Sequence, residues 1–406
     1  MSVALTRRAL LAGGGCLCCA GLAGLAEARI LPREMVPLVG PGYKPQDRDE
    51  KGLWQQCERI EQEIAGSNLL IRDPRLTRYL SDLTGRIGGP AAKDLRVYLA
   101  QVPEFNAFMM PTGFMVVFSG LLTRMRNEAQ LAGVLAHESG HFLRKHQLRS
   151  WRDIKKKTDL LTVLAIGAGV GGAATGVYAG DLVRLAEVGT IFSLARYSRV
   201  MEAEADAMGL NLINQAGYSP LEMSNTWAQM IGEIEASAAM RHKRPHRGYS
   251  LLASHPAPAD RMADLRISAS EVQDPSRHYD TGRERYLAMI APHRAKLLDD
   301  QVKLNDPGAS LYIIRNLAAD GWNGLLRFEE GEVWRLRGQP GDDQRSAAGY
   351  AAAIQFPDAP PEAWRQHGYS LVKAGMRDEG KAALQKYLAL APEAPDAPMV
   401  RYSLSQ

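Results

Sequence analysis

The sequence predicts an α+β chain: a mostly helical domain with a small β-sheet, followed by an α-helical repeat region. Three observations predict it. Apolar residues recur at helical spacing through most of residues 51–305. Short alternating runs are confined to about residues 95–118. After residue 306, Ala, Gly and Pro rise and matching positions recur 34 residues apart. The 406 residues are 46% hydrophobic, enough for a sizeable core, and their composition excludes collagen-like, coiled-coil and low-complexity chains. The length suits two to three domains. A net charge of +4, from 49 basic and 45 acidic residues, leaves no nucleic-acid footprint.

Residues 1–28 read as a twin-arginine signal peptide. Thr6-Arg7-Arg8-Ala9-Leu10-Leu11 is followed by an apolar run to Leu25, and Ala26-Glu27-Ala28 offers a cleavage site. Gly13-Gly14-Gly15 argues against a structural first helix, and the run is short for a membrane anchor. Export by this route moves a chain already folded, and places it in the periplasm. Cys16, Cys18 and Cys19 fall inside the signal, so only Cys57 remains and no internal disulfide is expected. None of the three has an aliphatic residue three positions before it, which argues against lipidation.

Residues 29–50, with Pro32, Pro37, Pro41 and Pro45, read as a linker or extended arm. Helical periodicity follows over 51–87, through Leu53, Cys57, Ile60 and Ile64, then Leu76, Tyr79, Leu80 and Leu83. Leu95 to Val102 alternates as a strand. Phe105 to Met110 and Phe114 to Phe118 form two more, joined by a Pro111-Thr112-Gly113 turn. Helices are expected from about Asn127 to His146 and from about Ser198 to Gln215. Between them, Leu160 to Ala179 is uncharged and Gly-rich. Its length alone would suit a membrane span. The ligand set below lies on both sides of it, however, which argues against a single crossing. A packed helix and loop with at most peripheral membrane contact, or a hairpin dipping into the membrane, are the two readings left.

His137-Glu138-Ser139-Gly140-His141 is an H-E-x-x-H motif. Positions i and i+4 of a helix share a face, so both imidazoles can reach one zinc ion. Glu138 stands beside them as the catalytic base for a water in the open position. Such an ion needs a third protein ligand. Glu202-Ala203-Glu204-Ala205-Asp206, starting 61 residues beyond His141, supplies it. Glu202 and Asp206 share a face. Glu202 would bind the metal, and Asp206 would fix the tautomer of a ligand histidine. Glu204 points about 200° away, so only one of the two glutamates can serve. The expectation is one Zn²⁺ per chain, held by His137, His141 and Glu202. His146, one turn beyond the motif, reads as a surface residue.

At these residues the chain resembles the HtpX/BepA group of zinc metallopeptidases, relatives of the CAAX prenyl proteases and mitochondrial Oma-type proteases. The likeness covers about residues 55–270. It runs through Phe105-Asn106-Ala107-Phe108, Pro111-Thr112-Gly113 and Phe118-Ser119-Gly120-Leu121-Leu122. Asn127 to Ala132, the HExxH helix, Ser198-Arg199, Glu202 to Asp206 and Gly209 continue it. Ser254-His255-Pro256 with Arg261 completes it. Met109-Met110 departs from the small residues usual there, and Ser254 stands for Thr. The resemblance implies a zincin fold of the gluzincin type over 51–305 and hydrolysis of peptide bonds. It implies that His255 can occupy the open metal position as a latency switch. A His-Pro pair opening a helix is the alternative. Phe105 to Met110 would pair with an extended substrate as a sheet edge. Asn106 either binds substrate backbone or serves as a turn residue. Arg261 either stabilises the transition state or braces the site through a carboxylate.

In the C-terminal region, Gly341 and Gly375 are 34 apart, as are Ala348 and Ala382. Trp364, Gly368, Leu371, Leu384 and Pro392 fall near tetratricopeptide positions. Two degenerate helix pairs, 327–360 and 361–394, are expected, stacked on helices around 308–326. A peptidase followed by such repeats resembles the BepA arrangement. That implies quality control of envelope proteins, with unfolded or misassembled proteins as substrates and assembly machinery as a partner of 306–406. The competing reading is a chaperone or assembly scaffold with a silent metal site.

Overall fold

The structure is a computed structural model, which describes residues 35–157, 197–244 and 258–405. The expected signal at 1–28, the apolar stretch 160–179 and His255 lie outside the described residues.

Side-chain caps set the first helices. Asp47 accepts from Glu50 N at 2.9 Å to start α1 (Arg48–Gly66). Asp73 accepts from Arg75 N and Leu76 N ahead of α2 (Pro74–Ile87), whose proline sits at the helix start where its missing N–H costs nothing. Three short strands follow: β1 (Arg96–Ala100), β2 (Ala107–Met109) and β3 (Phe114–Phe118). Their order is β1-β3-β2, with β3 parallel to β1 and antiparallel to β2. Every residue of β3 is buried, as a central strand requires. β2 is an edge and shorter than the run from Phe105 to Met110 suggested. Gly113, at φ +86°, makes the turn between β2 and β3.

α3 (Ser119–Arg124) leads to α4 (Glu128–Leu143), capped by Asn127, which accepts from Gln130 N at 2.8 Å. The single helix expected from Asn127 to His146 is in fact two. Arg144 and Lys145 close α4, Lys145 adopts a left-handed φ of 54°, and α5 (His146–Lys157) starts afresh. α6 (Arg199–Gln215) and α7 (Leu221–Met240) pack on α4, and α8 (Pro258–Val272) packs on α6 and α7. α4 is buried on nearly every side, and its residues share one core with α2, the sheet and α6 to α8.

Glycine lets α4 and α6 approach closely. A Cβ on Gly140 would sit 2.8 Å from the Ala205 carbonyl oxygen, and one on Gly209 would sit 3.2 Å from His137 N. Residues 35–47 run as an arm along the end of α4. Val39 is buried, Leu38 N donates to Leu143 O at 2.8 Å, and Arg144 Nη1 donates to Val36 O at 2.7 Å.

After α9 (Arg283–Ile290) and α10 (Arg294–Lys303) comes the C-terminal array. It comprises α11 (Pro307–Leu317), α12 (Gly324–Arg337), α13 (Asp342–Ala353), α14 (Pro361–Lys373), α15 (Arg377–Leu390) and α16 (Ala397–Ser405). α12 pairs with α13 and α14 with α15. Gly341 and Gly375, both left-handed at φ +86° and +87°, turn the chain inside each pair. Glycine meets glycine within the pairs. A Cβ on Gly349 would sit 2.9 Å from Gly331 Cα, and one on Gly368 would sit 3.0 Å from Gly380 O. The array is seated on the first domain through α11. A Cβ on Gly308 would lie 2.3 Å from Ala236 O, and Asp306 accepts from Ser237 and Arg241 of α7 and its cap. No described helix is long and apolar enough to cross a membrane.

Candidate metal centre

α4 and α6 cross where both carry polar residues. His137 and His141, one turn apart on α4, face each other with Nε2 atoms 3.0 Å apart. Glu202 lies opposite on α6, its carboxylate 3.7 Å from His137 Nε2 and 3.5 Å from His141 Nε2. All three side chains are buried, and one donor atom from each falls within 4.8 Å of the others. Two imidazoles and a carboxylate at this separation suit a divalent ion with one position left open. Among the described residues this is the one such group. Glu138 is buried at 1% exposure beside it, on the same helix.

The outer nitrogens of the two histidines are also engaged. His137 Nδ1 meets Asp206 Oδ1 at 2.9 Å. His141 Nδ1 meets His146 Nδ1 at 2.9 Å, and the Tyr197 ring stacks on His141 at 3.9 Å. His146 is therefore no surface residue: it is fully buried. Its Nε2 meets Glu204 Oε2 at 2.9 Å, and Glu204 also accepts from Arg144 Nε and Arg149 Nη1. Glu204 does point away from the metal group, as helix geometry required, but into this cluster and not into solvent. Its hydrogen bond from His146 pushes its carboxyl down to about 2, against the opposing effect of burial.

Arg261 of α8 closes the ring. Its Nη1 lies 2.7 Å from Glu202 Oε2, while Nε and Nη2 donate to the two oxygens of Asp206 at 2.8 and 2.5 Å. The guanidinium lies over the Trp227 ring, 4.4 Å from its centroid. Burial alone would raise the Asp206 carboxyl. The charge of Arg261 and the hydrogen bond from His137 outweigh it and hold Asp206 well below the usual range.

A cleft of about 400 Å³ opens at His137, Glu138 and Asp206. Its other walls are Phe105, Gly133, Val134, Met223, Thr226 and Trp227, almost all apolar. A second cavity of about 320 Å³ shares Phe105 and Thr226 and continues between α7 and α11, reaching Tyr312 and Asn316. Asn106 sits just ahead of β2 at the sheet edge, and its carbonyl accepts from Phe118 N at 3.0 Å.

Of the sequence-predicted site residues, His137, Glu138, His141, Glu202, Asp206 and Arg261 come together. Asn106 follows Phe105, which lines the cleft, but is not itself one of the lining residues, and His255 lies outside the described residues. Sequence reasoning missed His146, Tyr197 and Trp227. The one signal that could have found His146 is Glu204, an acid on a helix face that packs inward and so needs a partner.

The model for Peptidase family M48 matches residues 70–269. The chain is similar to the beta-barrel assembly-enhancing protease of Escherichia coli (strain K12), with 27% identity over 253 residues, 61% of this chain and 50% of that one. It is similar to metalloprotease LoiP of the same organism, at 28% over 55% of this chain and 82% of that one. It is similar also to mitochondrial metalloendopeptidase OMA1 of Arabidopsis thaliana, at 29% over 44% of this chain and 34% of that one. The chain thus spans about half the length of the beta-barrel assembly-enhancing relative it matches.

Proposed function

We propose that this chain, which carries a peptidase family M48 domain over residues 70–269, is an exported zinc metalloendopeptidase. Its substrates are misfolded or unassembled envelope proteins in the periplasm. The observation that carries the reading is the meeting of His137, His141 and Glu202 beside Glu138 at the mouth of an apolar cleft. The name of the beta-barrel assembly-enhancing relative supports the substrate class, and that of LoiP supports the metalloprotease activity.

His137, His141 and Glu202 would hold the zinc, which when bound supplies a Lewis acid that polarises the scissile carbonyl and acidifies water. Glu138 takes a proton from the attacking water and returns it to the leaving amine. Asp206 keeps His137 in the tautomer that presents a bare Nε2. Arg261, committed to two carboxylates, braces the ligand helix and does not reach for substrate. Phe105, Val134, Met223 and Trp227 give the cleft walls that suit an apolar side chain, and an unfolded chain exposes such side chains where a folded one buries them. The β2 edge and Asn106 align the substrate backbone by strand pairing. His255 fills the open metal position in a latent state. Residues 306–406 act as tetratricopeptide-like repeats that recruit substrates or assembly partners.

The test is cleavage of casein and of an unfolded β-barrel protein by the purified chain, with zinc content measured in parallel. Glu138→Gln is expected to lose activity by roughly 10²- to 10⁴-fold at unchanged zinc. His255→Ala is expected to cleave faster than wild type. If wild type and His255→Ala each bind one zinc and neither cleaves any unfolded substrate, the chain is a scaffold.

A further inference from the structure

An imidazole that binds a metal through Nε2 leaves Nδ1 protonated, and that N–H needs an acceptor to hold the ring. For His137 the acceptor is a carboxylate, Asp206. For His141 it is neither carboxylate nor carbonyl but a second imidazole, His146, at 2.9 Å. One assignment of donors and acceptors fits the whole line. His141 Nδ1–H donates to His146 Nδ1. That nitrogen is then bare, so the His146 proton sits on Nε2, which faces the Glu204 carboxylate at 2.9 Å. Arg144 at 3.1 Å and Arg149 at 2.9 Å hold Glu204 in turn. Both imidazoles are fully buried, out of reach of bulk water.

The backbone is built for this contact. On an unbroken helix, His146 would stand about 140° round the axis from His141 and face away. The break at Arg144 and Lys145 turns it back. The break puts a non-glycine residue at φ 54°, a conformation that L side chains rarely adopt. Lys145 is steadied there by Tyr43 of the N-terminal arm.

We propose that His146 is the positioning residue for the metal ligand His141, and that it relays the Glu204 carboxylate to that ligand as Asp206 serves His137 directly. The inference rests on the zinc-site reading above. It assigns His146 no contact with substrate.

The experiment is zinc affinity of the full chain by competition with a chromophoric chelator, with the Co²⁺ visible spectrum as a second readout. His146→Phe fills the space but offers no acceptor, so zinc affinity should fall roughly 10- to 100-fold and the Co²⁺ bands should move. His146→Asn keeps an oxygen near the Nδ1 position and should bind more tightly than His146→Phe. A residue needed only for packing would give the opposite order. Glu204→Gln, which keeps the shape and removes the charge, should weaken zinc in the same direction, and it covers the case in which His146→Phe does not fold. Unchanged affinity in Glu204→Gln, or a His146→Phe that binds as tightly as wild type, overturns the proposal. If wild type itself binds no zinc, the metal reading fails first, and that result is distinct from either.

Discussion

The candidate metal centre and the C-terminal array are both built where two helices touch through glycine, yet they treat a buried acid in opposite ways. At Gly140 and Gly209 the closeness of α4 and α6 brings Glu202 and Asp206 against two imidazoles. At Gly331 and Gly349 the closeness of α12 and α13 serves packing alone. Two residues before Gly331, Glu329 is 3% exposed. Burial, with Asp299 and Glu332 adding to it, drives the Glu329 carboxyl well above its ordinary value. Asp206 is also buried and stays ionised, because Arg261 stands against it. Burial does not decide whether an acid is charged; the partner does, and only the charged kind can serve a metal.

The comparison breaks first at Arg261. Arg261→Met strands two buried carboxylates, and in zinc-free protein it should cost about 3–5 kcal/mol by urea unfolding. Glu329→Gln has no ion pair to break and should shift the same curve by less than about 1 kcal/mol. Equal losses would mean that the two acids are alike after all.

A smaller effect sharpens the structural half. An alanine in a helix normally gains on glycine by about 1 kcal/mol. At Gly349, however, a Cβ meets the Gly331 backbone at 2.9 Å. Gly349→Ala should therefore lose about 1–3 kcal/mol through overpacking, while zinc stoichiometry stays at the wild-type value. Calorimetry and metal analysis on one sample decide it.

The smallest effects are in pH. Hydrogen bonds from Arg337 push the Asp342 carboxyl down to about 2, so its stabilisation is present above its ordinary value of 3.8 and is lost as pH falls towards 2. Glu329 has the reverse sign. Its raised carboxyl holds a proton that the unfolded chain gives up, so stability falls as pH rises above 4.5. In melts from pH 2 to 8, Asp342→Asn should flatten the acid limb and Glu329→Gln the other.

Much of the centre was legible because its logic is local. His137 and His141 are one turn apart, as are Glu202 and Asp206, and a helix fixes the rest. The helix break was not legible, since Lys145 carries no signature for a left-handed residue. Continuing the helix turned His146 outward. Trp227 beneath Arg261 depends on how α7 and α8 cross, which no local pattern encodes. In the array the turn glycines were legible, Gly341 and Gly375 keeping the 34-residue interval. The packing glycines were hidden. Gly331 to Gly368 is 37 residues and Gly349 to Gly380 is 31, so they follow no shared period.

The seating of α11 on α7 has a mechanical consequence. The array does not hang from a flexible tether: Gly308 lies against the α7 backbone, Asp306 clasps Ser237 and Arg241, and the cleft at Glu138 shares Phe105 and Thr226 as walls with the cavity that reaches Asn316. If the array recruits polypeptide as proposed above, that grip and the His137–His141–Glu202 group are held at a span set by helix geometry, and cleavage would fall at a fixed offset, as a ruler sets it.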